Sequence, residues 1–446
     1  MRFFILSLGC PKNTVESEGM RELLNAAGHS LAASPEEADV LIVNTCAFID
    51  VARDESLEAL RELADARRPE QYLIAAGCMP ELYSEQLPDL VVPLDGLIST
   101  RRWQEIPRLV DILSGSPRES GPHRLPEPAP PRSLVHPLPR ECPGVATAYV
   151  KIAEGCDAPC AFCTIPQIKG PFQSKPKQAI LKEVGEIVEQ GVKEIILIAQ
   201  DTTSYGADRG EVDAFPALIE DILESAPSLA WLRIMYAYAQ RVTPRLIQVM
   251  AERPRALHYL DLPLQHAHPQ VLRRMNRPHD VKRVRSIIDQ LRSAMPDIAI
   301  RTSFIVGYPG ETDEEFRTLL DFMDELAFDR VGVFVYSPEQ GTQAAALPDQ
   351  VPQDVKADRY RQAMELQQKI SLKRNERLIG RELEVLVEGI GEGISVGRSY
   401  RDAPEVDGLV IVQSELPVNE FARIRITEAL EYDLIGQVQQ SPHVAR

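Results

Sequence analysis

The chain has 446 residues, 44% hydrophobic and 26% charged, with a formal net charge of −17. That length gives room for about three domains of roughly 150 residues, and the composition excludes a disordered tail. No apolar run approaches a membrane helix, so no membrane association is expected, and an acidic surface disfavours non-specific binding to a phosphate backbone. The short apolar start, MRFFILSLGCPKN, has no cleavage site after it and reads as a first strand, which makes a soluble cytoplasmic protein the expectation. Seven cysteines, an odd number, then point away from a disulfide framework and toward metal ligands, nucleophiles or core residues.

From the N-terminus, apolar runs at 3–8, 39–45 and 71–77 predict strands buried on both faces, with helices at 15–28 and 51–66 between them. This alternation predicts an open parallel α/β sheet over residues 1–115. Each run ends in a cysteine: Cys10, Cys46 and Cys78. The C-terminal ends of parallel strands share one edge, so these three should converge as a metal site. Residues 116–143 are rich in proline without hydrophobic period and read as a linker. From 144 to 375 six strands are predicted, at 148–154, 194–199, 231–236, 257–262, 298–306 and 330–336, with helices such as 178–190 and 281–294. Six βα units in a row predict a partial (βα)6 barrel with its chemistry at the C-terminal strand ends. A charged helix over 353–378 leads into 376–446, where ELEVLVEGI, ISVGRSY, GLVIVQ and FARIRITEAL predict a small all-β, OB-like barrel. The fold class expected is α/β multidomain.

The stretch YVKIAEGCDAPCAFCTIP spaces Cys156, Cys160 and Cys163 as C-x3-C-x2-C. Structural zinc takes four ligands in paired C-x2-C units, and no second pair follows. An iron–sulfur cubane held by three thiolates instead leaves one iron open to a substrate or cofactor. With Phe162 before the last cysteine and a first barrel strand before the loop, the motif resembles the signature of radical S-adenosylmethionine enzymes. Taken with Cys10, Cys46 and Cys78 and a C-terminal module of the TRAM type, nearly the whole chain resembles the methylthiotransferases.

That resemblance implies two 4Fe–4S clusters and S-adenosylmethionine as cofactors. Cys156, Cys160 and Cys163 would hold the cluster that binds and reductively cleaves S-adenosylmethionine to a 5′-deoxyadenosyl radical. Cys10, Cys46 and Cys78 would hold the second, which carries or donates sulfur. An electron donor such as a flavodoxin-type protein and a sulfur donor are implied as partners. By the same resemblance, Gln200 and Asp201 in IAQDTTSYG would contact the methionine amino group. In LPLQHAHPQVLRRMNRP, Gln265 and His266 would face the ribose side, with Arg274 an anion contact. In RTSFIVGYPGETDEEF, Gly307 and Gly310 would allow close approach on the adenine side. The same residues have ordinary structural readings: Gln265 as a turn residue, His266 as a core histidine, and PGETDEE as a helix start. Lys169 and Lys175 depart from the family, which usually has arginine there; lysine keeps the charge and loses the bidentate fork. Cys142 matches no ligand position and reads as incidental, with a surface or redox role the lesser alternative.

The family has two branches. One modifies an adenosine of transfer RNA, the other the β-carbon of an aspartate in small-subunit ribosomal protein twelve. Residues 376–446 hold seven arginines, no lysine and thirteen acidic residues, a net of −6. An acidic module favours a basic protein over RNA, so no direct transfer RNA substrate is expected. SLGCPKNTVESE, VNTCAFI, GRSYRDAPEVDG and YDLIGQV also resemble the ribosomal-protein branch. The expected activity is methylthiolation of that aspartate. The transfer RNA enzyme is the alternative within the family, and a non-catalytic iron–sulfur protein, which needs no S-adenosylmethionine pocket, the distant one.

Overall fold

A strand covered on both faces needs a continuous apolar run, and Val40–Thr45 is buried at all six positions. The computed structural model describes residues 1–115, 121–125, 140–142 and 144–439. In it the N-terminal domain is a six-stranded parallel sheet of β1 (Arg2–Ser7), β2 (Ser30–Leu31), β3 (Val40–Thr45), β4 (Tyr72–Gly77), β5 (Gly96–Ser99) and β6 (His123–Arg124), in the order β2-β1-β3-β4-β5-β6. The three predicted strands are its centre. The two-residue edge strands β2 and β6 and the short β5 carry too little pattern to be read in advance. β6 lies inside the stretch read as a linker, most of which is outside the described residues; His123 and Arg124 pair with Gly96 and Leu97.

The central domain is built on β7 (Thr147–Lys151), β8 (Ala153–Glu154), β9 (Gln173–Ser174), β10 (Glu194–Ile198), β11 (Trp231–Ile234), β12 (Ala256–Asp261), β13 (Ala299–Val306) and β14 (Arg330–Val335). Six of these form an open parallel sheet in the order β14-β13-β12-β11-β10-β7. The run predicted as one strand at 148–154 is split: β7 ends at Lys151, and β8 pairs antiparallel with β9. Strand residues alternate between two cores. Ile195, Leu197, Leu260, Ile300 and Phe304 pack under the outer helices. Ile196, Ile198, Met235 and Tyr259 face inward and share a core with Val15 and Met20 of the helix Pro11–Ala26. The N-terminal domain thus covers the barrel lumen.

The helix Gln353–Glu376 leads to a closed barrel of β15 (Glu382–Gly391), β16 (Ile394–Ser399), β17 (Val410–Val412), β18 (Phe421–Ala429) and β19 (Leu434–Val438). The end of β16 and the loop to β17 meet the N-terminal rim of the central barrel. Glu194, the first residue of β10, receives Arg233 at 2.7 Å and Arg398 at 2.6 Å. Arg330, which starts β14, pairs with Asp402 at 2.6 Å, and Tyr259 donates to Asp407 at 2.6 Å. GRSYRDAPEVDG is therefore used inside the molecule, to close the barrel end opposite the strand C-termini.

Candidate active site

Cys10, Cys46 and Cys78 follow β1, β3 and β4, which are neighbours in the sheet, so all three stand at one edge. Asn13 laces that edge together. Its Nδ2 donates to Leu8 O at 2.8 Å and Thr45 O at 3.0 Å, and its Oδ1 faces the Cys78 thiol at 3.9 Å. Gly9 has φ +89°, and a Cβ there would lie 2.6 Å from Cys46 Cβ and 2.9 Å from its Sγ, so only glycine lets Cys46 sit against the first strand end. Burial pushes the Cys46 and Cys78 thiols up.

Cys156, Cys160 and Cys163 occupy the loop after β8. Gly155 opens it at φ +76°, where a Cβ would come within 2.6 Å of Gly170 O and closer still to Pro171 O. Backbone bonds from Cys156 to Gly170 (3.2 Å), Ala161 to Met275 (3.0 Å) and Ala344 to Ala161 (2.9 Å) fasten the loop to the barrel. The Ala158 N–H approaches Cys156 Sγ at 3.5 Å, and the Arg277 guanidinium approaches Cys160 Sγ at 3.7 Å while stacking over Tyr238. Burial pushes the Cys156 thiol up, and Cys163 up to about 12. Phe162 is half-buried against the barrel core.

Among the described residues no three His, Cys, Asp or Glu side chains converge on a single ion. A four-iron cluster binds its thiolates on different irons, so its ligands stand wider apart than those of one ion. Two sets of three buried or half-buried thiols, one of them with N–H donors at sulfur, suit such clusters, because binding to iron would deprotonate Cys46, Cys78, Cys156 and Cys163, which burial otherwise keeps neutral.

The two sets face one domain interface. The helix Ile165–Lys169, which follows Cys163, packs on Cys78–Leu82. Beside it lies a buried ionic network. Glu16 of the N-terminal domain accepts from Lys169 at 2.5 Å, Lys151 at 3.0 Å and Thr100 at 2.8 Å. Glu154 takes Lys151, Lys169 at 3.5 Å and Gln200 at 3.2 Å. Burial disfavours the charges of Lys151, Lys169 and Glu154, yet the pairing wins: the two lysines are held above their ordinary value and Glu154 below its own. Lys12 reaches across the same interface, with Nζ 3.0 Å from the ring centroid of Tyr236. Burial lowers its ammonium to about 8, against the pull of Cys10 and Asp261.

The strand-end residues proposed from the motifs have mixed fates. Gln200 is half-buried, donates to Glu154, and leaves its Oε1 buried without a partner, as a cofactor-facing amide would. Asp201 is turned into its own loop, where it accepts from Thr203 and Ser204, so it caps a turn rather than offering a free carboxylate. Gln265 is half-buried at φ +72°, bridging its backbone to Ser303 and Ile305. His266 is buried: Nδ1 accepts from the His268 N–H, Nε2 is left without a partner, and burial lowers the ring to about 3. Arg274 is not a free anion contact, because Glu315 takes its fork at 2.7 and 3.1 Å. Glu315 also completes a capping box with Thr312, so PGETDEE does start a helix. Gly307 makes room for Lys356, whose Cγ a Cβ would overlap, and Gly310 sits at φ +71° in the following turn.

Lys169 and Lys175 are both consumed by buried carboxylates, Lys175 by Glu183. Cys142 is not on the surface; it packs in the barrel core beside Arg140, which joins Glu18 at 2.7 Å to Glu183 at 2.9 Å. Sequence reasoning passed over Lys12, Glu16, Lys151, Glu154, Tyr236 and Arg277. A charged residue inside an apolar run, such as Lys151 in AYVKIAEG, was the available signal.

Residues 150–323 match the radical SAM superfamily, residues 379–438 the TRAM domain, and residues 2–98 the uncharacterized protein family UPF0004. In overall fold the chain is similar to the radical S-adenosylmethionine methyltransferase TsrM from Kitasatospora setae, with a TM-score of 0.58 at 11% identity, covering 89% of this chain and 76% of that one. It is 48% identical to the ribosomal protein uS12 methylthiotransferase RimO of Roseiflexus sp. (strain RS-1), over 99% of this chain and 98% of that one. It is 45% identical to the protein of the same name from Desulforamulus reducens (strain ATCC BAA-1160 / DSM 100696 / MI-1), over 98% and 99%. The chain belongs to the ribosomal protein uS12 methylthiotransferase family.

Proposed function

We propose that this enzyme transfers a methylthio group to the β-carbon of an aspartate in ribosomal protein uS12. Cys156, Cys160 and Cys163 hold one 4Fe–4S cluster, and Cys10, Cys46 and Cys78 hold the other. The observation that carries this reading is the pair of three-cysteine edges set against one interface, in a chain of this family. When bound, the first cluster supplies the electron that cleaves S-adenosylmethionine to a radical able to take hydrogen from an unactivated carbon, and the second cluster supplies sulfur.

The chain's own residues bind, orient and shield. Gly155 and the backbone bonds to Gly170 and Met275 fix the cysteine loop against the barrel. The Ala158 N–H and Arg277 place positive density at the sulfurs of Cys156 and Cys160, where cluster-bound sulfur would accept it. Gln200 offers an unpartnered amide oxygen to the amino group of S-adenosylmethionine. The Glu16 network holds the N-terminal domain over the lumen and keeps water from the interface. A flavodoxin-type electron donor and a separate sulfur donor are proposed as partners, and ribosomes place the reaction in the cytoplasm. No helix among the described residues is long and apolar enough to cross a membrane.

The test is mass spectrometry after anaerobic turnover of reconstituted enzyme with reductant, S-adenosylmethionine, small ribosomal subunits and transfer RNA. A methylthio gain on an aspartate of uS12 is expected. A gain on an adenosine would keep the chemistry and overturn the substrate. Cys160→Ala should abolish 5′-deoxyadenosine formation. Cys46→Ala should spare it and stop sulfur insertion; methylthiolated product from that variant would sink the two-cluster reading.

A further inference from the structure

Among the described residues five lysines are buried: Lys12, Lys151, Lys169, Lys175 and Lys356. Four of them have oxygen partners. Lys151 and Lys169 pair with Glu16 and Glu154, Lys175 with Glu183, and Lys356 donates to Tyr336 O at 3.0 Å. Lys12 is the exception. It is 8% exposed, and among the described residues its ammonium has the face of Tyr236 and neither a hydrogen bond nor an ion pair. The nearby carboxylates are already matched. Asp261 takes Arg301 at 2.9 Å and the Tyr236 N–H at 3.1 Å, and Glu154 takes Lys151, Lys169 and Gln200. An ammonium this nearly buried with no hydrogen-bond acceptor is costly, and an anion arriving from outside is one reason for a folded chain to keep it.

Its placement says which anion. Lys12 directly follows Pro11 after Cys10, at the start of the helix Pro11–Ala26, and crosses to the C-terminal ends of β11 and β12. Tyr236 is held at φ +60°, an uncommon conformation for an aromatic residue, and its ring forms the platform beneath the ammonium. The cation therefore stands between the cysteines of the N-terminal edge and the barrel's strand ends. We propose that Lys12 binds the side-chain carboxylate of the substrate aspartate. This rests on the reading of function given above. The carboxylate is one bond from the β-carbon, so an ammonium that grips it holds that carbon where hydrogen removal and sulfur delivery meet. It also selects aspartate over asparagine, whose neutral amide cannot answer the charge.

The test titrates unreduced holoenzyme plus S-adenosylmethionine with fluorescently labelled uS12, carrying either the target aspartate or asparagine in its place, and reads affinity by anisotropy. Lys12→Gln should weaken binding of the aspartate form about tenfold or more, the effect of losing one charge-assisted hydrogen bond, and leave the asparagine form unchanged. Lys12→Arg should retain most of the preference. Lys12→Met, which fills the volume without charge, should fold, load both clusters with unaltered paramagnetic resonance spectra, and bind both forms alike. Equal weakening of both forms by Lys12→Gln, or altered spectra of the N-terminal cluster in Lys12→Met, would assign the lysine to the cluster and overturn the proposal. If the unsubstituted enzyme makes no methylthioaspartate on uS12, the functional reading falls and this inference with it. If it does, and the substitutions in enzyme and substrate act additively, the inference falls alone.

Discussion

At the scale of single residues, what holds the reactive loops is mostly the absence of atoms. Gly155 turns the chain at φ +76° under the carbonyls of Gly170 and Pro171, so a methyl group there must push the cysteine loop off the barrel. Gly155→Ala is expected to fold its N- and C-terminal domains and to lose the barrel cluster, seen as roughly half the iron and sulfide per chain after reconstitution. Arg274 teaches the converse lesson. Its guanidinium is conspicuous near the predicted cofactor side, yet Glu315 and Gly310 O take its two terminal nitrogens and leave only the buried Nε–H without a partner. Arg274→Gln should lower stability by about 1–3 kcal/mol, the cost of a lost charge-assisted bond, while S-adenosylmethionine affinity stays as it was. Titration calorimetry and thermal melts separate the two effects.

Between elements, the helix Pro11–Ala26 does two jobs. Val15 and Met20 fill the barrel lumen, and Glu16, one residue from Val15, anchors two lysines of the central domain. Removing the charge of Glu16 leaves Lys151 and Lys169 competing for Glu154 alone. Breaking a buried pair in this way costs about 3–5 kcal/mol. Glu16→Gln is expected to loosen the N-terminal domain from the barrel, so that S-adenosylmethionine cleavage persists while methylthio product falls. The ratio of 5′-deoxyadenosine to methylthiolated uS12 in one reaction reads this directly; an unchanged ratio would show that the network does not set the placement of the two cysteine edges.

Across the whole molecule, the C-terminal barrel is held to the central one by a second buried network, and this one has a defined pH dependence. Burial raises the Glu194 carboxyl, but Arg233 and Arg398 outweigh it and bring the group from an ordinary 4.5 down to about 2. A folded value below the unfolded one contributes stability that is complete above about pH 4.5 and is lost as pH falls toward 2. Trp231 packs on Phe421 across the same contact, with ring centroids 4.8 Å apart. In a Trp103→Phe background, which leaves Trp231 as the sole tryptophan, emission should shift to the red as pH falls from about 4.5 toward 2 and hold steady above that window. The network also affects the argument from charge. The side chains of Arg398, Arg401, Asp402 and Asp407 are buried, two of each sign, so the module keeps its net of −6 for a partner to meet.

The longer strands, their parallel arrangement and both sets of cysteines were legible because each depends on pattern along the chain. Apolar runs of strand length mark β3, β4 and β10 to β14, and a cysteine after each N-terminal run is visible without coordinates. Parallel strands then put Cys10, Cys46 and Cys78 at one edge by topology alone. The two-residue strands β2 and β6 were not legible, since two residues carry no period. Neither was the fate of the polar residues. Arg274, Asp201 and Gly307 stand in motifs that suit a cofactor, and only their neighbours Glu315, Ser204 and Lys356 show where their bonds and space go. Lys12 and Glu16 lie in SLGCPKNTVESE, which resembles the ribosomal-protein branch, but their pairing depends on Tyr236, Lys151 and Lys169, more than 130 positions away. What the sequence by itself determined was the set of elements and the chemistry of the thiols, because both follow from spacing along the chain. The tertiary structure alone decided which charges are satisfied and which one waits for a partner, because pairing depends on distances between domains that no local pattern contains.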